Sequence, residues 1–342
     1  MSEVLLKETL ECLEGYTERQ AALNGVDKST IESGQKFTIN PQTEYVWVNK
    51  VASEGILSEV DIDVCTDMVV NDLGFGPSQL VSGRTNTETK ERETSGLGKP
   101  NGIVYTAVTT NHDTHFTFGE LNSFARSKEQ FQKRLQDRRL ESKREDVERI
   151  AWNGVKVAEN TDKKTYPLGE DVNIGWLQRM RDHAPEHVIT ELEGAAIKVG
   201  KGQLMENLDQ VVVQALSLIP KQYQKGLKVY ISSDLLVGRQ MKLLEKTTNT
   251  ETAQKITQDA YYIINGLIAQ APDFFPDGTI FVTRPKNLAI RVQKGSVRSS
   301  YEMNSKRDRY ENYNQQNEFY ALHNYEQAVL IENITLEDAA KE

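Results

Sequence analysis

The chain has little of what secretion, membrane insertion or metal chemistry would require. Its two cysteines, Cys12 and Cys65, are too few and too unpatterned for a disulfide framework or a zinc site, and both read as ordinary thiols. No stretch approaches the roughly 18 apolar residues that a membrane-spanning helix needs. The N-terminus, MSEVLLKETLECLEGYTERQ, lacks the basic start and the apolar block of a secretory signal, which predicts a protein made and used in the cytoplasm, at least at first. Positive charge is not in surplus either. A net charge of −9 speaks against broad adhesion to nucleic-acid phosphates, because such binding neutralises those phosphates with Lys and Arg.

Catalytic signatures are equally scarce. There is no nucleophile elbow, Ser/Lys pair or paired-carboxylate pattern. VGKGQ at 199–203 lacks the first glycine and the Ser/Thr of a phosphate-binding loop. His183 and His187 are separated by Ala184-Pro185, which breaks the helix that would align them. The best candidate for a metal-dependent hydrolase is His112, Asp113 and His115. On a strand, however, His112 and Asp113 point to opposite faces, and no further His or Cys cluster supplies the remaining ligands. Solvated polar residues on a strand explain them more simply, so neither an enzyme nor a cofactor or metal is expected.

What is present is a core and several pieces that lack one. With 342 residues and 38% hydrophobic content, there is material for one large or two ordinary domains. The stretch from Thr117 to Gly154 places Leu121, Phe124, Phe131, Leu135, Val147 and Ile150 near one stripe, which predicts a single helix of roughly 50 Å. Thr117 and Glu120 predict a capping box, and Asn153-Gly154 a left-handed end. Arg138, Arg139, Ser142 and Lys143 interrupt the stripe. A helix so long and so interrupted predicts a strut whose middle faces neighbouring subunits, or else solvent.

In order along the chain, a short helix is expected over 2–23, an extended and mobile segment over 24–42, and a helix over 43–57. Alternation of Val60, Ile62 and Val64 predicts a strand within 57–70, with 103–118 as its partner. Between them, 76–102 holds almost nothing to bury and carries the cluster TETKERET, which describes a projecting hairpin arm with a polar tip. Residues 205–283 mix helices and strands into an α+β or α/β unit of their own, including a helix near 256–269. LAIRVQ, VRSSYEM and EFYALHNYEQAVLIENI read as strands, with RDRYENYNQQ separating the last two.

Certain blocks, met in order, resemble the P2-type family of tailed-bacteriophage major capsid proteins. They are LNG at 23–25, KFT at 36–38, WNG at 152–154, VNIGWLQ at 172–178 with Ala184-Pro185, IKVGKG at 197–202, NLD at 207–209 and DRYENYNQQNEFYALHNY at 308–325. His323 and Asn324 depart from the acidic residues expected before Tyr325.

The resemblance implies an α+β, HK97-like capsid fold. Residues 1–56 would be an N-terminal arm, trimmed in part, and 57–118 an extended hairpin (E-loop) with its tip near 76–102. Residues 119–204 would hold the spine helix and the first part of the peripheral (P) domain, 205–283 the axial (A) domain, and 284–342 the returning peripheral strands and C-terminus. It further implies a subunit that self-assembles into pentamers and hexamers of an icosahedral shell around double-stranded DNA, without sequence-specific binding. Expected partners are an internal scaffolding protein, a maturation protease, a portal protein and a decoration protein. N-terminal processing is expected at Phe37-Thr38. Inter-subunit contacts are expected from Arg84, Glu88, Lys90, Glu91, Arg92 and Glu93 at the hairpin tip and from Arg138, Arg139 and Lys143 on the spine. A cellular nanocompartment shell of the encapsulin type is the nearest alternative.

Overall fold

The computed structural model describes residues 4–71, 82–94, 102–192, 194–245 and 263–337. In chain order the elements are α1 (Lys7–Asn24), α2 (Lys28–Glu32), β1 (Phe37–Thr38), α3 (Pro41–Val51), β2 (Asp61–Cys65), β3 (Val69–Asn71), β4 (Val104–Thr106), β5 (Val108–Asn111), β6 (Thr114–Thr117), α4 (Phe118–Ala125), α5 (Lys128–Asn153) and α6 (Trp176–His183). Then follow β7 (Val188–Ile189), β8 (Glu191–Leu192), β9 (Ala195–Ala196), β10 (Lys198–Val199), α7 (Leu208–Leu218), β11 (Lys228–Ile231), α8 (Ser233–Glu245), β12 (Ile263–Ile264), β13 (Leu267–Gln270), β14 (Ile280–Thr283), β15 (Leu288–Gln293), β16 (Arg298–Asn304), β17 (Arg309–Leu322), β18 (Val329–Ile331) and β19 (Thr335–Leu336). They form two units, one from Met1–Met68, Ala107–Gln178 and Ala289–Tyr320, the other from Val69–Thr106, Arg179–Leu288 and Ala321–Glu342.

The first unit is a sheet ordered β1-β16-β17-β15-β2, with β5 and β6 also paired to β17, packed with α1, α3, α4 and α5. The strand expected within 57–70 exists as β2, but its partner is β15, in parallel with Ile62 opposite Ile290. The block expected as that partner instead gives β5 and β6 to β17. Arg309–Leu322 is one long strand, so RDRYENYNQQ, apart from Arg307 and Asp308, is part of it and not a separator. The pattern hid this because Glu311, Asn312, Gln316 and Glu318 are polar yet buried.

The single long helix is two, broken at Ser127. In an unbroken helix Phe131 would lie about 80° round from Leu121. With the break, both are fully buried in one cluster with Leu13 and Tyr16 of α1. The capping box at Thr117 forms, with its hydroxyl accepting from the Glu120 N–H and the Glu120 carboxylate accepting from the Thr117 N–H.

The expected left-handed end at Gly154 does not form, since its φ is −60°. Glycine is required there by close approach: a Cβ would sit 2.3 Å from the Asn173 carbonyl oxygen. Gly175 donates its N–H to the Gly154 carbonyl at 2.9 Å, and Trp152 meets Trp176 edge-on at 4.9 Å. The blocks WNG and VNIGWLQ therefore form one junction.

Residues 24–42, expected extended and mobile, carry α2, β1 and the start of α3. Ile31, Phe37 and Ile39 are spaced through that polar stretch, and each is buried in the cluster. Asn40 caps α3 by accepting from the Gln42 N–H, with Pro41 in the first turn.

The second unit centres on a sheet ordered β12-β13-β11-β14-β18-β7. Leu208, Val211, Val212 and Ala215 of α7 pack with Val229 and Ile231 of β11 and Val282 of β14. Of the helix expected near 256–269, residues 256–262 lie outside the described ones, and the rest is a hairpin. Its turn is Asn265-Gly266, with φ of 48° and 74°, the left-handed pair that a tight hairpin turn demands.

Candidate assembly surfaces

The ribbon of β3 and β4 is the described base of the expected hairpin, with Val69 opposite Thr106 and Asn71 opposite Val104. Its two faces differ. Tyr105 points inward and is fully buried, its hydroxyl 2.8 Å from that of Tyr325, with the Arg179 guanidinium 5.0 Å from its ring centroid. Val69 and Val104 point outward and, with Met68, each expose about half of their surface. Such a face on a two-stranded ribbon has nothing to rest on within the described residues.

At the tip, Arg84, Glu88, Lys90, Glu91, Arg92 and Glu93 are all exposed. Asn86 accepts from the N–H groups of Thr89 and Lys90, and Lys90 pairs with Glu93 at 3.0 Å. Lys99 and the rest of 72–81 and 95–101 lie outside the described residues.

The second unit carries a similar feature. Ile263 and Ile268 are register partners across the β12–β13 hairpin, and both are exposed on the sheet face. Val237 and Met241 of α8 are exposed as well. Sequence reasoning missed these because it placed Ile263 and Ile268 on a helix.

The spine residues divide. Arg138 is exposed and pairs with Glu141 at 2.8 Å. Arg139 is buried and Lys143 half-buried: Phe131, Leu135, Arg139, Lys143, Val147 and Ala151 form one row at four-residue spacing, and both cations on it hydrogen-bond within the chain. The gap in the apolar stripe is thus a polar centre. This row could have been read from the sequence by allowing a buried face to contain cations.

Arg139 sits among aromatic rings. It donates to the hydroxyls of Tyr16 at 2.9 Å and Tyr301 at 3.4 Å, and lies 5.4 Å from the Trp47 ring centroid and 5.7 Å from that of Tyr301. Burial alone would raise the Tyr301 phenol, but the guanidinium beside it brings it below its ordinary value. Burial acts in the opposite direction on Arg139, but the phenols around it keep its charge strongly held.

Lys143 donates to Gln316 Oε1 at 2.5 Å, and Gln316 Nε2 donates to Glu318 Oε2. Burial lowers the Lys143 amine to about 8, against the attraction of Glu318. For Glu318 burial pulls upward, but His112, the Gln316 amide and Lys143 hold its carboxyl down at about 2.

The remaining candidates do not converge. His112 Nε2 lies 3.8 Å from Glu318, Asp113 accepts from the Asn314 N–H at 3.0 Å, and His115 stands opposite Glu311 in the sheet. Among the described residues no group of three His, Cys, Asp or Glu could hold a metal. His187 Nδ1 meets the Ala328 carbonyl, and His183 stacks edge-on against Tyr325. In VGKGQ, Gly200 closes against the Glu337 backbone and Lys198 pairs with the Glu337 carboxylate at 2.6 Å. Phe37 and Thr38 form β1, with Phe37 buried and stacked on Tyr301, so this bond is covered while β1 is paired with β16.

No described helix is long and apolar enough to cross a membrane. A family described as phage major capsid protein, P2 family, matches residues 12–334. The chain is 30% identical to the capsid protein of Escherichia phage P2, over 97% of this chain and 96% of that one. It is 22% identical to the major capsid protein of Serratia phage KSP20, over 96% and 97%. Its structure superposes on a chain of the satellite phage P4 procapsid that includes the size determination (Sid) protein, with a TM-score of 0.72 at 27% identity, covering 86% of this chain and 99% of that one. The HK97-like fold, a core in each unit and the match along nearly the whole chain thus come together: the chain belongs to the P2 family of phage major capsid proteins and forms the capsid of a phage head.

Proposed function

We propose that the capsid this chain builds is an icosahedral shell of pentamers and hexamers, assembled in the host cytoplasm around an internal scaffolding protein, with a portal at one vertex, and filled with double-stranded DNA. The observation that carries this reading is the outward face of the β3–β4 ribbon. Met68, Val69 and Val104 are each about half exposed, so covering them with an adjacent subunit stabilises the contact by roughly 3 kcal/mol. The charged tip, from Arg84 to Glu93, supplies register on that neighbour, and Arg138, exposed on the spine beside Glu141, reaches one. Ile263 and Ile268 supply a second contact between copies. The acidic net charge lets packaged DNA slide past the wall, because like charges do not adhere.

Processing at Phe37-Thr38 by a maturation protease requires β1 to lift from β16 first, so cleavage follows a rearrangement of the arm. Decoration proteins would bind the assembled outer surface. Electron microscopy of the chain co-expressed with its scaffold tests the reading. Deleting 78–101 is expected to leave folded subunits or capsomers that do not close. Closed shells of normal size from that deletion would refute the role given to the hairpin, and intact residues 1–37 in DNA-filled heads would refute the cleavage.

A further inference from the structure

We propose that a continuous column of bound water runs beneath the middle of the spine helix α5, from the surface at Lys163 inward to the Glu44 carboxyl, and opens the polar centre of the first unit to solvent. Three abutting cavities, all within that unit, lay out the path. The outermost, of about 100 Å³, lies against Thr110, His112, Asp146 and the turn that carries exposed Lys163 and half-buried Tyr166. The middle one, of about 20 Å³, shares His112 and Asp146 with it. The innermost, of about 30 Å³, shares Trp47, Lys143 and Asn314 with the middle one and reaches Glu44.

Four buried polar atoms stand along this path without a hydrogen-bond partner in the protein: Thr110 Oγ1, His112 Nε2, Thr114 Oγ1 and Glu44 Oε1. Thr110, His112 and Glu44 are only 4%, 8% and 1% exposed. Three of the four align because residues 110, 112 and 114 alternate along the end of β5 and the start of β6. His112 and Thr114 border the same cavity as Arg139, Ser142 and Asp146 of α5, so this polar face is turned towards the helix. His112 Nε2 lies 3.8 Å from Glu318, beyond direct hydrogen-bond reach. The other Glu44 oxygen already accepts from the Gly295 N–H at 2.9 Å, which fixes the unpartnered one in place.

Size and charge select water as the occupant. A water needs roughly 10–15 Å³ and at least two polar partners, so the middle and inner cavities each take about one and the outer cavity several. In the outer cavity two cations, Arg149 and Lys163, face two carboxylates, Asp146 and Asp171, and Arg149 is already paired with Asp146 at 2.9 Å. Neither sign is in surplus for an ion. Among the described residues no group of three His, Cys, Asp or Glu could hold a metal. An apolar occupant would leave all four atoms desolvated and unbonded, which is the costly state for a buried polar group. The inner end of the column touches Lys143 and, through Gln316, the Glu318 carboxylate, so solvent reaches that centre without α5 lifting away.

The test begins with a density map of the assembled shell fine enough to resolve water. A water is expected within hydrogen-bond distance of each of Thr110 Oγ1, Thr114 Oγ1 and Glu44 Oε1. The same atoms bonded directly to protein, with the cavities closed, would overturn the proposal. In heavy water the Cε1 hydrogen of His112, which stands where the outer and middle cavities meet, should exchange on the timescale of exposed His115 and before the amides of α5, as read by mass spectrometry of the full-length chain. Exchange of His112 only together with those amides would overturn the solvent path. Thr110→Val and Thr114→Val each remove a hydroxyl at nearly constant volume and should lower the urea midpoint, because a bound water loses a partner. An unchanged or raised midpoint would show that the hydroxyl was dry and overturn its place on the column. If a variant does not fold, the map and the wild-type exchange decide.

Discussion

Replacing Arg139 with methionine isolates the polar centre beneath the spine. Methionine keeps an unbranched stem of similar reach but removes the guanidinium that holds the Tyr16 hydroxyl at 2.9 Å. A hydrogen bond to a charged donor contributes about 1.5–3 kcal/mol. The contact to Tyr301 at 3.4 Å adds little. The rings of Trp47 and Tyr301, at 5.4 and 5.7 Å from the cation, add about 1 kcal/mol each when desolvated. Against this, the variant no longer buries a charge, which offsets part of the loss. The net is a destabilisation of about 2 kcal/mol.

It should fall first on α1, because Arg139 holds that helix through Tyr16, which packs in one cluster with Leu13 and Ala21. Amide hydrogen exchange resolves this: α1 should lose about 2 kcal/mol of protection, a rate increase of roughly thirtyfold, while β15 and β17 change little. A double-mutant cycle with Tyr16→Phe should return a coupling of about 1–2 kcal/mol. Unchanged protection in α1, within about 0.5 kcal/mol, would refute the assignment of Arg139 as the anchor of the N-terminal helix.

Three further outcomes are expected. Gly154→Ala should destabilise the first unit by about 3 kcal/mol or more in urea unfolding, since the new Cβ meets backbone at 2.3 Å, whereas Gly25→Ala, at φ 65° with open space around it, should lose about 1 kcal/mol. Glu318, held at about 2 in the folded chain against an ordinary 4.5, binds fewer protons than the unfolded chain between those values. Its stabilisation, at most about 3 kcal/mol, is therefore present above pH 4.5 and lost as pH falls towards 2, and Glu318→Gln should flatten that part of the acid-unfolding curve. Val69→Ser with Val104→Ser should leave subunit stability within about 1 kcal/mol of wild type and reduce the yield of closed shells seen by electron microscopy.

The elements legible in the sequence were those with a strong period or a local device. The capping box at Thr117 formed as read, and the alternation of Val60, Ile62 and Val64 gave the strand β2. What escaped were features settled by distant partners. Nothing near β2 announces β15 as its neighbour, and nothing near Arg309 shows that buried Glu311, Asn312 and Gln316 will find hydrogen-bond partners inside a strand. The interrupted stripe of α5 looked solvated because Arg139 and Lys143 were judged by charge alone, without the phenols and the Gln316 amide that receive them. Residues 24–42 looked mobile because their three anchors are spread thinly. For the assembly surfaces, the polar tip was visible in composition, but the exposed pair Ile263 and Ile268 required the Asn265-Gly266 turn to be recognised.

β17 has one more consequence, which concerns synthesis. Among the described residues, the early strands β1, β2, β5 and β6 of the first sheet all pair with strands that begin at or after residue 288. While the ribosome is still translating the middle of the gene, β1, β2, β5 and β6 have emerged without partners, and their edges are open to wrong pairing. This subunit must therefore complete its fold after most of it has left the tunnel, at a stage when chaperones shield such edges. Stalled nascent chains ending before Arg309 should remain protease-sensitive throughout residues 37–117, and acquire resistance only once the last strands are released.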